Sequence, residues 1–340
     1  MTGASGFIAL HCVTQLLEQG YRVRGTVRSA SRQDDVRRAL AGVAGADDRL
    51  ALCVADLTSD DGWREAMDGA TFVLHTASPL PAMAPRPGDD LIGPARDGTL
   101  RVLRAASAAG VVRVVVTSSI AAIVSGVSRE PGRVFTEEDW SNLDGVMRRY
   151  SRGKTLAERA AWEYVADLPA DRRIELTTVN PSFVLGPSLS GSDNMSNELV
   201  RKLLDREVPG LPRLMLPLVD VRDVAHAHLL AMTSPLAAGE RFIVSEGDYW
   251  YHELARALKA EGYDVPTRVA PNWLVRVLGW FDPSVRLLVD DLGRELHVSA
   301  DKARRVLGWQ PRGLHEMVRD TAQAITGRRR APRARAAVTG

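Results

Sequence analysis

The amino-acid sequence predicts an α/β fold: a doubly wound parallel sheet with a smaller C-terminal substrate-binding lobe. Three observations carry this reading. Short, β-branched apolar runs alternate with helix-like stretches through the first half of the chain. A glycine-rich turn at the very start leads directly into an apolar helix. Near residue 181 the texture shifts to Pro-, Gly- and Ser-rich stretches, which read as loops around a cleft. Strands that alternate with helices are joined by crossovers, and crossovers give parallel strands covered on both faces. This is the Rossmann arrangement.

The elements follow in order. Residues 7–19 predict the first helix, after the turn "TGASG". "YRVRGTV", "RLALCVADL", "TFVLHTAS", "VVRVVVTSS" and "IELTTVNPS" each predict a short buried strand bounded by turn residues. "LIGPARDGTLRVLRAASAAG" predicts a helix ending on Gly110, where a C-cap glycine is expected, and "SRGKTLAERAAWEYV" predicts another. "NPSFVLGPSLSGSDNMSNE" and "VPGLPRLMLP" are expected to be loops. "PLVDVRDVAHAHLLAM" returns to strand then helix, "RFIVSEG" adds a strand, and the remainder is mainly helical to about Ile325. The expected organisation is a dinucleotide-binding domain over 1–180, with a returning segment at about 216–245. The substrate lobe is expected over 181–215 and 246–326, and a basic disordered tail over 327–340.

Composition excludes several classes. The 340 residues are 45% hydrophobic and 25% charged, which suits a soluble globular protein with a large core. The net charge of +2 includes five arginines in the last 14 residues, "GRRRAPRARAAVTG", so the rest sums to −3. A short Arg/Ala/Pro tail reads as a solvated segment rather than a nucleic-acid site. Cys12 and Cys53 stand alone, without metal spacing, as in a reducing compartment. No HExxH occurs, and His226 and His228 are two apart, on different faces of a helix. No run reaches the roughly 18 apolar residues of a membrane span. The expectation is a cytoplasmic monomer or homodimer with a small-molecule partner, and with no metal, nucleic acid or membrane.

The motifs supply the chemistry. Gly3, Gly6 and Ala9 form G-x-x-G-x-x-A, in which a tight turn brings backbone close to a pyrophosphate and a helix N-terminus donates amides to it. Gly3, Ser5, Gly6, Phe7 and Ile8 are the candidate contacts in this loop. At the end of the next strand, where an acid would bind the ribose hydroxyls of NAD, the chain has Arg28, with Arg32 following and no acid until Asp34. A cation there suits a 2′-phosphate, so NADP(H) is the expected cofactor. Asp56 and Leu57 are placed to meet the adenine. Thr76, Ala77 and Ser78, with Pro79, are placed to pass under the cofactor's middle. Tyr150 and Lys154, four apart on a helix, share a face. A lysine beside a phenol lowers its pKa, so Tyr150 could deliver a proton to a carbonyl oxygen as hydride arrives. Ser119, at a strand end, would hold that oxygen, and Lys154 would also bind the nicotinamide ribose.

With these residues placed, the chain resembles an extended short-chain dehydrogenase/reductase, of the branch that holds dihydroflavonol 4-reductases, cinnamoyl-CoA reductases and microbial aldehyde/ketone reductases. The matching stretches are "TGASGFIA", "RGTVRS", "HTASP", "TSSIAA", "YSRGKTLAERAAW", "NPSFVLGP", "DVRDVAHAH" and "LGWQPR…DTA", from residue 1 to about 325. The resemblance implies a catalytic triad of Ser119, Tyr150 and Lys154, with Ser119 rather than Ser118 as the catalytic serine. It also implies that Pro181 and Val184 sit near the nicotinamide amide, and that Arg28 binds the 2′-phosphate. The chain departs from the plant flavonoid enzymes at Val124, near where they carry an asparagine. It departs from the cinnamoyl-CoA branch in "MRRYSRGK", and it has Gly153 where relatives often have serine before the lysine.

The expected function is an NADPH-dependent reductase of a small or medium, fairly apolar aldehyde or ketone, which is also a reversible alcohol dehydrogenase. Phe183, Met195, Leu211 and Met215 could form its apolar wall. The alternatives on the same fold are a sugar-nucleotide epimerase or dehydratase and a 3β-hydroxysteroid dehydrogenase. The alternative of another class is an NADP-sensing regulator without the triad. One expectation concerns the start of the chain. Relatives carry five to eight apolar residues ending in valine before the Thr-Gly, and Met1 stands at that valine. A GTG codon read as an initiator would produce this beginning, with the first strand of the sheet lying upstream.

Overall fold

Strand residues buried on both faces require helices above and below the sheet, and the computed structural model has that layering. It describes residues 1–78, 92–128, 130–191, 194–208, 210–286 and 288–327. Pro79 and most of the expected basic tail lie outside the described residues. The strands are β1 (Val23–Val27), β2 (Leu50–Val54), β3 (Phe72–His75), β4 (Arg113–Thr117), β5 (Val134–Phe135), β6 (Glu175–Pro181), β7 (Phe183–Leu185), β8 (Met215–Asp220), β9 (Arg241–Val244), β10 (Gly247–Trp250) and β11 (His297–Val298). The longer helices are α1 (Phe7–Glu18), α2 (Ser31–Ala39), α3 (Ile92–Ala108), α4 (Arg149–Ala166), α5 (Met195–Leu204), α6 (Val221–Thr233), α7 (Tyr251–Ala260), α8 (Asn272–Phe281) and α9 (Leu314–Thr326).

The main sheet is parallel. β3, β4, β6 and β9 run side by side in that order, with Val114 of β4 opposite Val73 on one side and Leu176 on the other. β1 pairs with β2. Residues 1–4 connect the two groups through the backbone. The Thr26 amide donates to the Met1 carbonyl at 2.9 Å, the Ala4 amide to the Thr26 carbonyl at 2.8 Å, and the Thr2 amide to the Leu74 carbonyl at 3.0 Å. The Met1 amine donates to the Arg24 carbonyl at 2.8 Å, and burial lowers its pKa to about 6.

Side chains alternate across the sheet, as the strand period requires. Leu74, Val115 and Val179 face a core shared with α1 and α6, while Val73, Val114, Val116 and Leu176 face one shared with α3 and α4. Arg113, at the start of β4, is buried and donates to the Ala231, Met232 and Ser234 carbonyls at the end of α6. A guanidinium there satisfies orphan carbonyls and opposes the negative helix end, and Glu175 pairs with it at 2.6 Å.

A second core lies in the C-terminal part. β7, β8 and β10 form a small sheet, with β10 antiparallel to β8, and α5, α7 and α9 pack on it. This corrects the loop reading of residues 180–198, because Phe183–Leu185 is a strand and Met195–Leu204 a helix. The helix forms because Asn194 caps it, accepting the Asn197 amide at 2.7 Å, and because Val200 and Leu203 fall on one buried face. Leu211, expected on a substrate wall, is fully buried in this second core. Among the described residues no helix is long and apolar enough to cross a membrane.

Trp309 joins the C-terminal segment to the first core. It is fully buried, and its indole donates to the Asp223 carbonyl at 2.8 Å. The Asp223 carboxylate accepts the Arg312 amide at 2.7 Å and pairs with its guanidinium. Trp309→Ala removes that packing and the indole hydrogen bond, and should cost about 3–5 kcal/mol in a denaturant titration.

Candidate active site

The candidate residues lie on the turn before α1, on the turns leaving β1, β2, β3, β4 and β6, on β7 and on the first turns of α4. In the turn before α1, Gly3 has φ +64 and donates its amide to Thr26 Oγ1 at 3.1 Å. A Cβ on Gly3 would lie 2.9 Å from the Ala77 Cα, so both the conformation and the space demand glycine. Thr2 fixes this approach. Its carbonyl accepts the Thr76 hydroxyl at 2.8 Å, its hydroxyl accepts the Ala77 amide at 3.2 Å, and it is 2.8 Å from Nδ1 of the buried His75. Gly6 is the N-cap of α1 and makes no side-chain cap, which leaves first-turn amides for an anion. Beside the turn, Ser5, Arg32, Arg38 and Ser190 line a cleft of about 290 Å³.

The cradle fits a dinucleotide. Arg28 is exposed just past the end of β1 and close enough to Asp56 to act on it electrostatically. The Asp56 carboxylate accepts the Thr58 amide at 2.8 Å and hydroxyl at 2.7 Å, and these bonds lower its pKa. Leu57 packs against Gly98 of α3, where a Cβ would meet its side chain at 2.9 Å. Ser78 is exposed at the end of the β3 turn. Pro181 is buried at the end of β6 and accepts the Ile120 amide at 3.0 Å, while Val184 is half-buried on β7.

Ser119, Tyr150 and Lys154 come together at the ends of β4 and α4. The Tyr150 hydroxyl lies near enough to Ser119 for that side chain to lower its pKa, and Ser119 Oγ accepts the Ala121 amide at 3.1 Å. Tyr150 is 42% exposed as a residue, but its hydroxyl end lies deep enough for burial to raise its pKa, against the lowering effect of Ser119. The expected lowering by Lys154 does not appear here. The Lys154 ammonium instead donates to the Thr117 carbonyl at 3.1 Å, and burial lowers its pKa to about 8 while Glu158 raises it. Thr117 is held in turn, its hydroxyl lying 2.6 Å from Nε2 of the buried His228.

The two adjacent serines separate cleanly. Ser118 points away from Tyr150 and donates to Glu158, which is one turn beyond Lys154. The sequence singled out neither Glu158 nor Thr117, and His228 stood in it only as an unsuitable metal ligand. The i, i+4 spacing from Lys154 was a signal for Glu158, since it puts both on one helix face. Val124 is buried in a core cluster with Ile123, Phe135 and Ile243, rather than lining a cleft. Of the remaining expected wall residues, Phe183 packs against the second core, Met195 is 61% exposed, and Met215 accepts the Leu296 amide through sulfur at 3.2 Å. Among the described residues no group of His, Cys, Asp and Glu could hold a metal ion.

Comparison with known proteins places this geometry among relatives. Residues 1–245 match the model of the NAD dependent epimerase/dehydratase family. The chain is 35% identical over 347 residues to an uncharacterized oxidoreductase of Saccharomyces cerevisiae, covering 96% of each. It is 38% identical over 301 residues to cinnamoyl-CoA reductase 1 of Petunia hybrida, covering 87% of this chain and 86% of that one. Its fold superimposes on yeast methylglyoxal/isovaleraldehyde reductase Gre2 complexed with NADPH, with a TM-score of 0.80 at 28% identity over 96% of this chain and 97% of that one.

The turn before α1 yields one direct test. Gly3→Ala should lower the melting temperature and weaken dinucleotide binding at least tenfold in a fluorescence titration, because the added methyl must push the β3 turn aside. Gly110→Ala, at a helix end with open space around it, should leave binding unchanged.

Proposed function

The chain belongs to the NAD dependent epimerase/dehydratase family, as an NADPH-dependent oxidoreductase of its extended short-chain dehydrogenase/reductase branch, and we propose that it reduces a small or medium, fairly apolar aldehyde or ketone. The observation that carries this reading is the approach of Tyr150 to Ser119 beyond the end of β4, with Lys154 one turn along the same helix and bonded to the Thr117 carbonyl at 3.1 Å. Gly3, Gly6 and the first turn of α1 would hold the pyrophosphate. Arg28 would take the 2′-phosphate, Asp56 and Leu57 the adenosine end, Thr76, Ala77 and Ser78 the middle, and Pro181 and Val184 the nicotinamide amide. The division into a dinucleotide domain and a substrate lobe is part of this reading.

When bound, NADPH supplies the hydride. Ser119 donates a hydrogen bond to the carbonyl oxygen and steadies its growing negative charge. Tyr150 gives that oxygen its proton, and burial keeps the phenol protonated beforehand. Lys154 would bind the ribose of the cofactor beside it, one turn along the helix from Tyr150. The raised Tyr150 pKa means that the proton stays on the phenol until the carbonyl oxygen has gained negative charge, and Ser119 lowers the cost of giving it up.

A panel of aldehydes and ketones with NADPH or NADH, followed by absorbance, tests the reading. Wild type should consume NADPH in preference to NADH with at least one carbonyl, and Tyr150→Phe should lose 100-fold or more of that rate. Equal activity of Tyr150→Phe would overturn it. The pH dependence follows from Lys154. Its charged form is needed for ribose binding, and its proton leaves as pH rises through about 8. NADPH affinity and kcat/KM for reduction should therefore be level below that pH and fall roughly tenfold per unit above it.

A further inference from the structure

Behind the triad, one acidic side chain collects more hydrogen bonds than any residue of the triad itself. Glu158 is fully buried, one turn after Lys154 on α4. Its carboxylate accepts from the Ser118 hydroxyl, from Thr178 Oγ1 at 3.2 Å, from Asn180 Nδ2 at 2.9 Å and from Arg241 Nε at 2.7 Å. Asn180 also donates to the Ser119 carbonyl at 3.3 Å. One carboxylate thus joins the lysine helix, the serine-bearing end of β4, and strands β6 and β9. Between it and Lys154 lies a cavity of about 20 Å³, lined also by His75, Ser118 and Thr99, which is room for about one water.

We propose that Glu158 is a positioning residue of the reduction site: it fixes the Lys154 turn against the Ser119 strand end and is the counter-charge of the Lys154 ammonium. The proposal rests on the reductase reading above.

The groups facing Lys154 leave Glu158 as its charged neighbour. From α4 come Tyr150 and Glu158. From the end of β3 comes His75, which burial keeps neutral with a pKa of about 3. From α6, behind Thr117, comes His228, neutral in the same way with a pKa of about 4. Helix α3 contributes only Ala95 and Thr99 to the cavity. The attraction of Glu158 opposes the loss of hydration that would otherwise strip the lysine of its proton. Arg241 sits on the far side of the carboxylate, with its guanidinium 3.8 Å from the Trp140 ring centroid.

The chain has four lysines, Lys154, Lys202, Lys259 and Lys302, so Lys154 can be titrated directly. Lysine labelled with 13C at Cε, read by NMR against pH without cofactor, needs no turnover, and the resonance lost in Lys154→Arg assigns it. Glu158→Gln should move the Lys154 titration down by about one pH unit or more, and the alkaline limb of NADPH binding should move with it. Arg241→Met disrupts the same hydrogen-bond network but leaves the carboxylate, so the titration should stay in place or rise. The double variant Glu158→Gln/Arg241→Met also removes the guanidinium that Glu158 pairs with, and should show the downward shift if the single variant does not fold. An unmoved titration in the Gln variants, or an equal fall in Arg241→Met, would overturn the proposal. A wild type that binds no NADPH would sink the reductase reading while the Lys154 titration still decides the role of Glu158.

Discussion

Holding a lysine ammonium beneath the surface, at the carboxyl ends of parallel strands, is the constraint on which the rest of this structure depends. Water would solvate that charge far better than a hydrocarbon core, and burial moves its pKa from 10.5 to about 8. The chain answers with a carbonyl oxygen from Thr117 and a carboxylate one turn away. Each of these is anchored in turn, Thr117 by His228 of α6 and Glu158 by Ser118, Thr178, Asn180 and Arg241. Layers of sheet and helix that look like generic packing are thereby tied to one nitrogen atom.

The same constraint explains why two neighbouring serines have different roles. Side chains on successive strand residues point to opposite faces. At the end of β4 this sends Ser118 inward to Glu158 and Ser119 outward to Tyr150. A slip of one residue would exchange them. The backbone register of β4 against β6, with Val115 opposite Thr177 and Thr117 opposite Val179, therefore decides which hydroxyl meets the cleft.

Much of this was legible in the sequence, and the failures have physical reasons. The main-sheet strands could be read because their β-branched runs are short, apolar and bounded by turns, and Tyr150 and Lys154 because helical spacing is local. Strand β7 and helix α5 were hidden in a Pro-, Gly- and Ser-rich stretch, since their stability comes from a core assembled with β8, α7 and α9, far along the chain. Glu158 was hidden for a similar reason. Its strongest partner, Arg241, is 83 residues away, and no local pattern announces a pair closed at that distance. The upward pKa of Tyr150 was missed because spacing reveals a neighbouring lysine but not the depth at which the phenol lies.

The tie between Thr2 and the β3 turn bears on how such a module can be recombined. Gly3 is moulded against Ala77, and Thr2 bonds both Thr76 and Ala77, more than 70 residues later. A chimera that swapped only residues 1–19, to import another loop and helix, would bring one half of a matched surface. The unit of exchange is discontinuous, and a workable graft has to carry the turn at 75–78 along with the glycines.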